Sequence, residues 1–465
     1  MNTPIQLNSR RELFVDHYLI DRLEDSTLKM HPPQRQEVVF QVDGVLENAC
    51  SGVYSVLVEN DGHYLLYYRG KYPLGKGEGD GSAQQTANVA ISTDGLHFER
   101  PSLGIHDFGD DGKNNVVWQG IQAHNLVPFR DQNPDADDDK RFKAVGGTGS
   151  NNLYALYSPD GLHWRLAQDE PLAVVGAFDS ANVAFWDPTI GKYRLFSRFF
   201  AKGRGRAIQS CESDDFIHWT NPVPHQYDQD APIEQFYTNA TTTCPGAEHI
   251  LLSFPMRYVA ERTTPVEDIS AMDYPGTGAP GMAGMTDAIM MSSRDGVHWH
   301  RPFPEAWLRP GLDERNWTHR NNCTAIGILP LRDDEWSMYI SEHYGWADNR
   351  LRRLSLRPWG FGSVNAGHRG GEIVTRHFTF DGCELRLNFS TSAVGSVAVE
   401  LQDQAGKPLD GFAFDDFIPL YGDRLDHPVA WSGGGDVSAL AGSPVRLHFR
   451  LKDADLFAFR FFKDA

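Results

Sequence analysis

The hydrophobic and polar positions of this chain fall into short alternating runs closed by turn residues, the pattern of β-strands that bury one face. Four of these runs end in nearly the same words. Residues 92–98 read S-T-D-G-L-H-F, 158–164 S-P-D-G-L-H-W, 213–219 S-D-D-F-I-H-W and 293–299 S-R-D-G-V-H-W. A degenerate fifth copy, S-L-R-P-W-G-F, occupies 355–361. Each clear copy follows a short apolar strand, and Asp-Gly between two such strands is a strong hairpin signal. The Asp, Gly, His and aromatic residues of the turn are expected to staple a hairpin and to do no chemistry.

A second strand pair precedes each hairpin: 52–58 with 64–69, 125–129 with 141–146, 182–186 with 193–198, 239–244 with 249–255, and 323–329 with 336–342. A unit of four strands cannot bury both faces alone, but five units stacked around an axis can. The expectation is an all-β chain, a five-bladed β-propeller over 1–365 followed by a β-sandwich over 366–465. The apolar stretch 13–20 reads as a strand that braces the propeller. Long loops at 72–86, 131–140 and 260–284 are of the kind that cover a site or move.

Composition narrows the partners. At 465 residues and 40% hydrophobic content the chain is long enough for two cores. A formal net charge of −19 argues against nucleic acid, which calls for a basic patch. No stretch approaches the ~20 apolar residues of a membrane-crossing helix. The opening Met1-Asn2-Thr3-Pro4 lacks the basic and apolar regions of an export signal, so a cytoplasmic location is expected, reversed if a signal has been removed. Five scattered cysteines without a C-x-x-C pair fit reduced thiols and predict no zinc site, and no cofactor is expected.

In a propeller the inner strand ends ring a central pocket, so polar residues at matching inner positions are the candidates for chemistry. Before or within the first strand of each unit these are Glu47-Asn48, His124-Asn125, Asp179 with Asn182, Tyr237 with Asn239, and Arg320-Asn321-Asn322. At the end of the second strand they are Arg69, Gly146-Gly147, Arg198, Arg257 and Glu342-His343. Paired carboxylates are what glycosidic cleavage needs, one to protonate the leaving oxygen and one to attack or to activate water. Glu47, Asp179 and Glu342 are therefore the catalytic candidates. Arg69, His124, Asn125, Asn182, Arg198, Tyr237, Asn239, Arg257, Arg320, Asn321 and His343 would hold an oligosaccharide. For the three carboxylates the competing expectation is ion pairing with Arg69, Arg198 or Arg257. Asp287 is a further carboxylate with a turn or capping role more in keeping with its position.

The five units with S-x-D-G-x-H-W hairpins resemble the five-bladed propeller glycoside hydrolases, and the appended sandwich resembles the arrangement of family 32, with family 43 a relative. The resemblance implies an exo-acting glycoside hydrolase with Glu47 as nucleophile or base and Asp179 as the residue that orients substrate. The W-x-N-D-P-N-G signature of family 32 is missing, and Tyr237-Thr238-Asn239 stands where the family carries its acid, so Glu342 is the substitute candidate. The hairpins also resemble the Asp-box of six-bladed sialidases, whose arginine triad and tyrosine nucleophile would fall to Arg69, Arg198, Arg257 and Tyr237. Two other readings remain open: a sugar-binding propeller without catalysis, and a polysaccharide lyase with His124, Tyr237 or His343 as base.

Overall fold

A computed structural model describes residues 3–44, 46–52, 54–71, 85–108, 110–272 and 283–463. Much of the expected loops at 72–86 and 260–284 lies outside the described residues. The chain is all-β, and it divides into two compact units. One comprises Pro33–Cys244 and Glu248–Ser355; the other comprises Met1–Pro32, Pro245–Ala247 and Leu356–Ala465.

In the larger unit the strands gather into successive antiparallel sheets. The first holds Val56–Asn60, His63–Lys71, Gln85–Ser92 and Val116–Gln119. The second holds Val127–Arg130, Phe142–Gly147, Leu153–Ser158 and Arg165–Leu166. The third holds Val183–Asp187, Lys192–Ala201, Gly205–Ser213 and Val223–Pro224. The fourth runs Thr241–Cys244, Ala247–Ser253, Met291–Ser293 and His298–His300, with Gln226–Tyr227 added in parallel at its edge. A separate sheet of Gln235–Phe236, Met256–Thr263 and Ala283–Ala288 grows out of this fourth unit. In the fifth, Cys323–Thr324, Trp336–Glu342 and Arg350–Leu356 are completed by Gln34–Gln41 from far upstream.

The first strands of neighbouring sheets lie side by side, first to second, second to third and third to fourth. Val56 of the first also bridges Ile326 beside the fifth, in parallel. Inner strands that neighbour one another and return to the first make the arrangement propeller-like.

The repeated turns are staples, as their sequence implies. In the first, Asp94 Oδ1 accepts from the backbone N–H of Leu96 and His97 at 2.8 and 2.9 Å, while Oδ2 faces His97 Nδ1 at 2.7 Å. The same bonds recur around Asp160, Asp215 and Asp295. The glycine of the turn is needed because φ there is positive, 72° at Gly95 and 80° at Gly161; Phe216 takes its place in the third copy at 70°. Adjacent sheets also grip these turns. Tyr67 Oη of the first sheet donates to Gly161 O, and Tyr339 Oη of the fifth donates to Gly95 O.

Two expectations are corrected. The stretch 355–361 is not a fifth hairpin, because the fifth sheet takes its outer strand from Gln34–Gln41 instead. The 13–20 stretch belongs with the C-terminal strands of the smaller unit. Glu12–Leu13 pairs with the 17-residue strand Arg446–Phe462, Ile20–Glu24 with Gly371–Thr375, and Ser26–Met30 with Gly362–Ala366. Phe14 and Leu19 share a core with Phe449, Phe459 and Phe461. Along the chain the smaller unit takes 1–32, 245–247 and 356–465. An apolar pattern shows that a strand is buried, but not against which sheet.

Candidate active site

The three predicted carboxylates have three different surroundings. Glu47, 1% exposed at its side chain, is saturated. Arg100 grips both its oxygens at 2.8 Å, Tyr68 Oη donates to Oε1 at 2.5 Å, and the Gly44 N–H donates to Oε2 at 2.8 Å. Glu342 is equally buried, and three arginines converge on it: Arg35 at 3.0 Å, Arg350 at 3.1 Å and Arg352 at 2.9 Å. Burial alone would raise its pKa, but those arginines, Arg352 first, hold it below the ordinary carboxylate range. Both glutamates are in ion pairs, with partners other than the arginines the sequence suggested.

Asp179 differs. Its side chain is 58% exposed, and its only ion-pair neighbours among the described residues are His124 and, at 4.0 Å, Arg198. His124 Nε2–H donates to Oδ1 at 2.7 Å, and its Nδ1 meets the Gln85 side chain. Burial would raise the Asp179 pKa; the His124 hydrogen bond and the charges of Arg198 and Arg320 outweigh it and hold the group low. His124 itself is lowered by burial and by Arg69 and Arg320, so it is a neutral imidazole at pH 7.

Around Asp179 a ring assembles from the inner ends of the successive units. The first contributes Tyr54 and Arg69, whose guanidinium lies 5.6 Å from the Tyr54 ring centroid and donates to Asn125 Oδ1 at 3.3 Å. His124 and Asn125 lead into the second sheet and Asp179 into the third, and Arg198 lies within the third. Tyr237 precedes the fourth, and Arg320 and Tyr344 flank strands of the fifth, with Arg320 Nη1 donating to Tyr344 Oη at 3.1 Å. Tyr54 feels the charges of Arg320, Arg69 and Asp179, which places these groups in one electrostatic neighbourhood. Burial keeps Tyr54 protonated and pushes Tyr344 up to about 12.

The backbone is strained where the ring is built. Tyr54, Asn125 and Arg320 have φ of 60°, 55° and 61°. Asparagine tolerates that region, but for Tyr and Arg it costs roughly 1–3 kcal/mol each and is held only by surrounding structure.

The remaining predicted residues sit elsewhere or do other work. Asn182 donates to Phe178 O and Ser180 O; Asn239 donates to Ala181 O in the preceding unit; Asn321 accepts from the Tyr344 N–H. These amides recur at matching positions because they brace turns and neighbouring sheets. His343 is buried between Asp313 and Asp348, at 2.8 and 2.9 Å. Arg257 pairs with Asp287 at 2.6 Å and Glu234 at 2.9 Å. By strand alternation this pair faces away from Tyr258, which packs on Tyr237. Asp287 is an ion-pair partner on the wall of a cleft of about 520 Å³, not a turn or capping residue.

Three residues near the ring were not anticipated. Arg206 lies 5.1 Å from the Tyr237 ring centroid and 4.4 Å from that of Tyr258. His319 packs edge-on to both tyrosines, and burial lowers its pKa to about 4. Tyr54 was the third. No spacing rule marks any of them in the sequence. Among the described residues no three His, Cys, Asp or Glu side chains come together as a metal site requires.

No protein-family model and no curated protein matches the chain. Among solved structures it is similar to an N-acetylgalactosamine deacetylase from F. plautii in complex with blood group B trisaccharide. That match has 13% identity and a TM-score of 0.43, covering 73% of this chain and 95% of the other. It is also similar to a glycoside hydrolase family 43 arabinoxylan arabinofuranohydrolase from Bacillus subtilis, at 11% identity and a TM-score of 0.41, over 91% of this chain and 98% of the other. A third structure comes from the GH130 family of mannoside phosphorylases, described as containing glycoside hydrolases that target β-1,2 mannosidic linkages in Candida mannan. Its identity is 14% and its TM-score 0.39, over 71% of this chain and 95% of the other. Glycoside hydrolases thus recur among the structures this chain is similar to, and similarity at this level adds nothing to what the side chains themselves show.

Proposed function

We propose that this chain is a five-bladed propeller with an appended sandwich that cleaves glycosidic bonds of an oligosaccharide, in a site formed by the ring around Asp179. The observation that carries the reading is that successive units send polar side chains to one neighbourhood where, among the described residues, Asp179 is the solvent-accessible carboxylate. Asp179 is ionised at neutral pH, so its role is that of base or hydrogen-bond acceptor toward a water or a sugar hydroxyl. His124 fixes its orientation. Tyr54 and Tyr344 stay protonated. Glu47 and Glu342 have no part in this chemistry, because their oxygens are already occupied.

The test is hydrolysis of a panel of oligosaccharides and aryl glycosides, followed by chromatography, with the wild-type protein and Asp179→Asn. Turnover by the wild type and its loss in the variant are expected; equal rates in both, with the variant folded, remove Asp179 from the reaction. The presence of one carboxylate where two were sought favours a second reading, sugar binding without cleavage. That reading predicts heat in calorimetry with no product at any incubation time.

A further inference from the structure

Two buried arginines of the larger unit are matched to carboxylates, Arg194 with Asp187 at 2.7 Å and Arg301 with Glu234. Such pairing has a physical basis, since an unpaired buried charge costs several kcal/mol.

The arginines around Tyr237 lack such pairing. Arg198 is 6% exposed at its side chain, donates no hydrogen bond to a described residue, and has its Nε buried without a partner. Its only carboxylate neighbour among the described residues is Asp179, at the 4.0 Å limit of an ion pair. Arg206 and Arg320 have no carboxylate within that distance among the described residues. Arg206 donates to the neutral Gln235 amide and Arg320 to Tyr344 Oη, and each has a buried Nε with no partner. The three guanidinium carbons stand 5.5, 5.1 and 5.5 Å from the Tyr237 ring centroid. Cation–π attraction offsets part of the cost of gathering like charges, but only about 0.5–2 kcal/mol per pair. The neighbouring histidines add no further positive charge, because burial holds His124 and His319 neutral.

From this imbalance we infer that Arg198, Arg206 and Arg320 form a subsite for an oxyanion carried by the sugar, so that the substrate is an acidic saccharide. The forked donors of arginine match a carboxylate in two-point fashion, and the same fork accepts a sulfate ester. The inference rests on the proposed function for the statement that the ligand is a sugar. The anion preference rests on the arginines alone.

Calorimetry with the full chain tests it, using D-glucuronate, D-galacturonate and galactose 6-sulfate against glucose and galactose. Acidic sugars should bind and neutral ones should bind far more weakly, and added salt should weaken only the former. The uronates and the sulfated sugar distinguish the two oxyanions. Arg198→Gln should weaken acidic-sugar binding by about 10- to 100-fold and reduce its dependence on salt. Arg206→Gln, at a less buried position, is the second variant if the first does not fold.

Equal binding of acidic and neutral sugars overturns the inference, as does no heat from any acidic sugar at millimolar concentration. An acid preference that survives both substitutions also overturns it. Turnover is read separately. Cleavage of neutral glycosides without acid binding leaves the proposed function standing and this inference fallen; acid binding without cleavage of any glycoside does the reverse. An unsaturated product absorbing in the ultraviolet would keep the anion subsite and replace hydrolysis by elimination, with His124 or Tyr237 as base.

Discussion

Glu342 and Asp179 are both acidic residues at the inner ends of propeller-like sheets, and both face arginines, yet their surroundings have opposite stoichiometry. At Glu342 three arginines meet one carboxylate that is 1% exposed, and every bond is made at 2.9–3.1 Å. At Asp179 the arginines stand back, the carboxylate is 58% exposed, and only His124 bonds to it directly. Closed pairing of this kind fixes strands to one another. Open pairing leaves both the charge and the donors available to a ligand. Both are carboxylates near arginines; the distance to the counter-ion separates scaffold from candidate site.

The comparison breaks most readily at Asp179. Asp179→Asn keeps the shape and most hydrogen bonds but removes the base, and a positioned base contributes roughly 10²–10⁴-fold to rate. The expected result is a loss of turnover of that size with a melting temperature close to wild type. A variant that lost stability and kept its rate per folded molecule would place Asp179 with Glu342, among the scaffold.

Glu342→Gln should do the reverse. Removing one partner of a buried ion pair leaves uncompensated charge and costs about 3–5 kcal/mol. The partly exposed arginines around Glu342 put the expected loss near the lower figure. Denaturant unfolding should show the deficit, and the folded fraction should retain its turnover. Glu47→Gln is expected to follow the same course, since Arg100 would lose a two-point partner. A selective loss of rate in either variant, at unchanged stability, would restore that residue to the chemistry.

The repeat explains what was legible and what was not. The periodic hairpins gave the all-β architecture and the register of inner strand ends, and that register led to Arg69, His124, Asn125, Asp179, Arg198, Tyr237 and Arg320, which the structure brings together. It also led to Asn182, Asn239 and Asn321, because a bracing amide recurs for the same architectural reason as a site residue. The ion-pair partners of Glu47 and Glu342 lie outside the register: Arg100 is 53 residues from Glu47, and Arg35, Arg350 and Arg352 are 307, 8 and 10 residues from Glu342. Arg206 and Tyr54 sit outside the register, so no pattern pointed to them. The first 32 residues belong with the last 110 or so through strand pairing that alternation does not encode.

The smallest effect belongs to a third carboxylate setting, the stapled turn. Asp160 bonds to two backbone N–H groups and to His163, at 2.7–2.8 Å, with no arginine in the fork. Burial pushes its pKa up, but those bonds bring it down to about 2, against roughly 3.9 in an unfolded chain. A depressed acid contributes stability above its unfolded pKa and loses that contribution as pH falls through the folded value. Asp160→Asn should therefore cost about 1 kcal/mol at pH 6. The gap between variant and wild type should close as the pH drops from about 4 toward about 2. Denaturant midpoints at pH 6 and near pH 2.5 measure it. An equal gap at both pH values would mean that shape, not charge, makes the turn, and would separate it from the electrostatics of both Glu342 and Asp179.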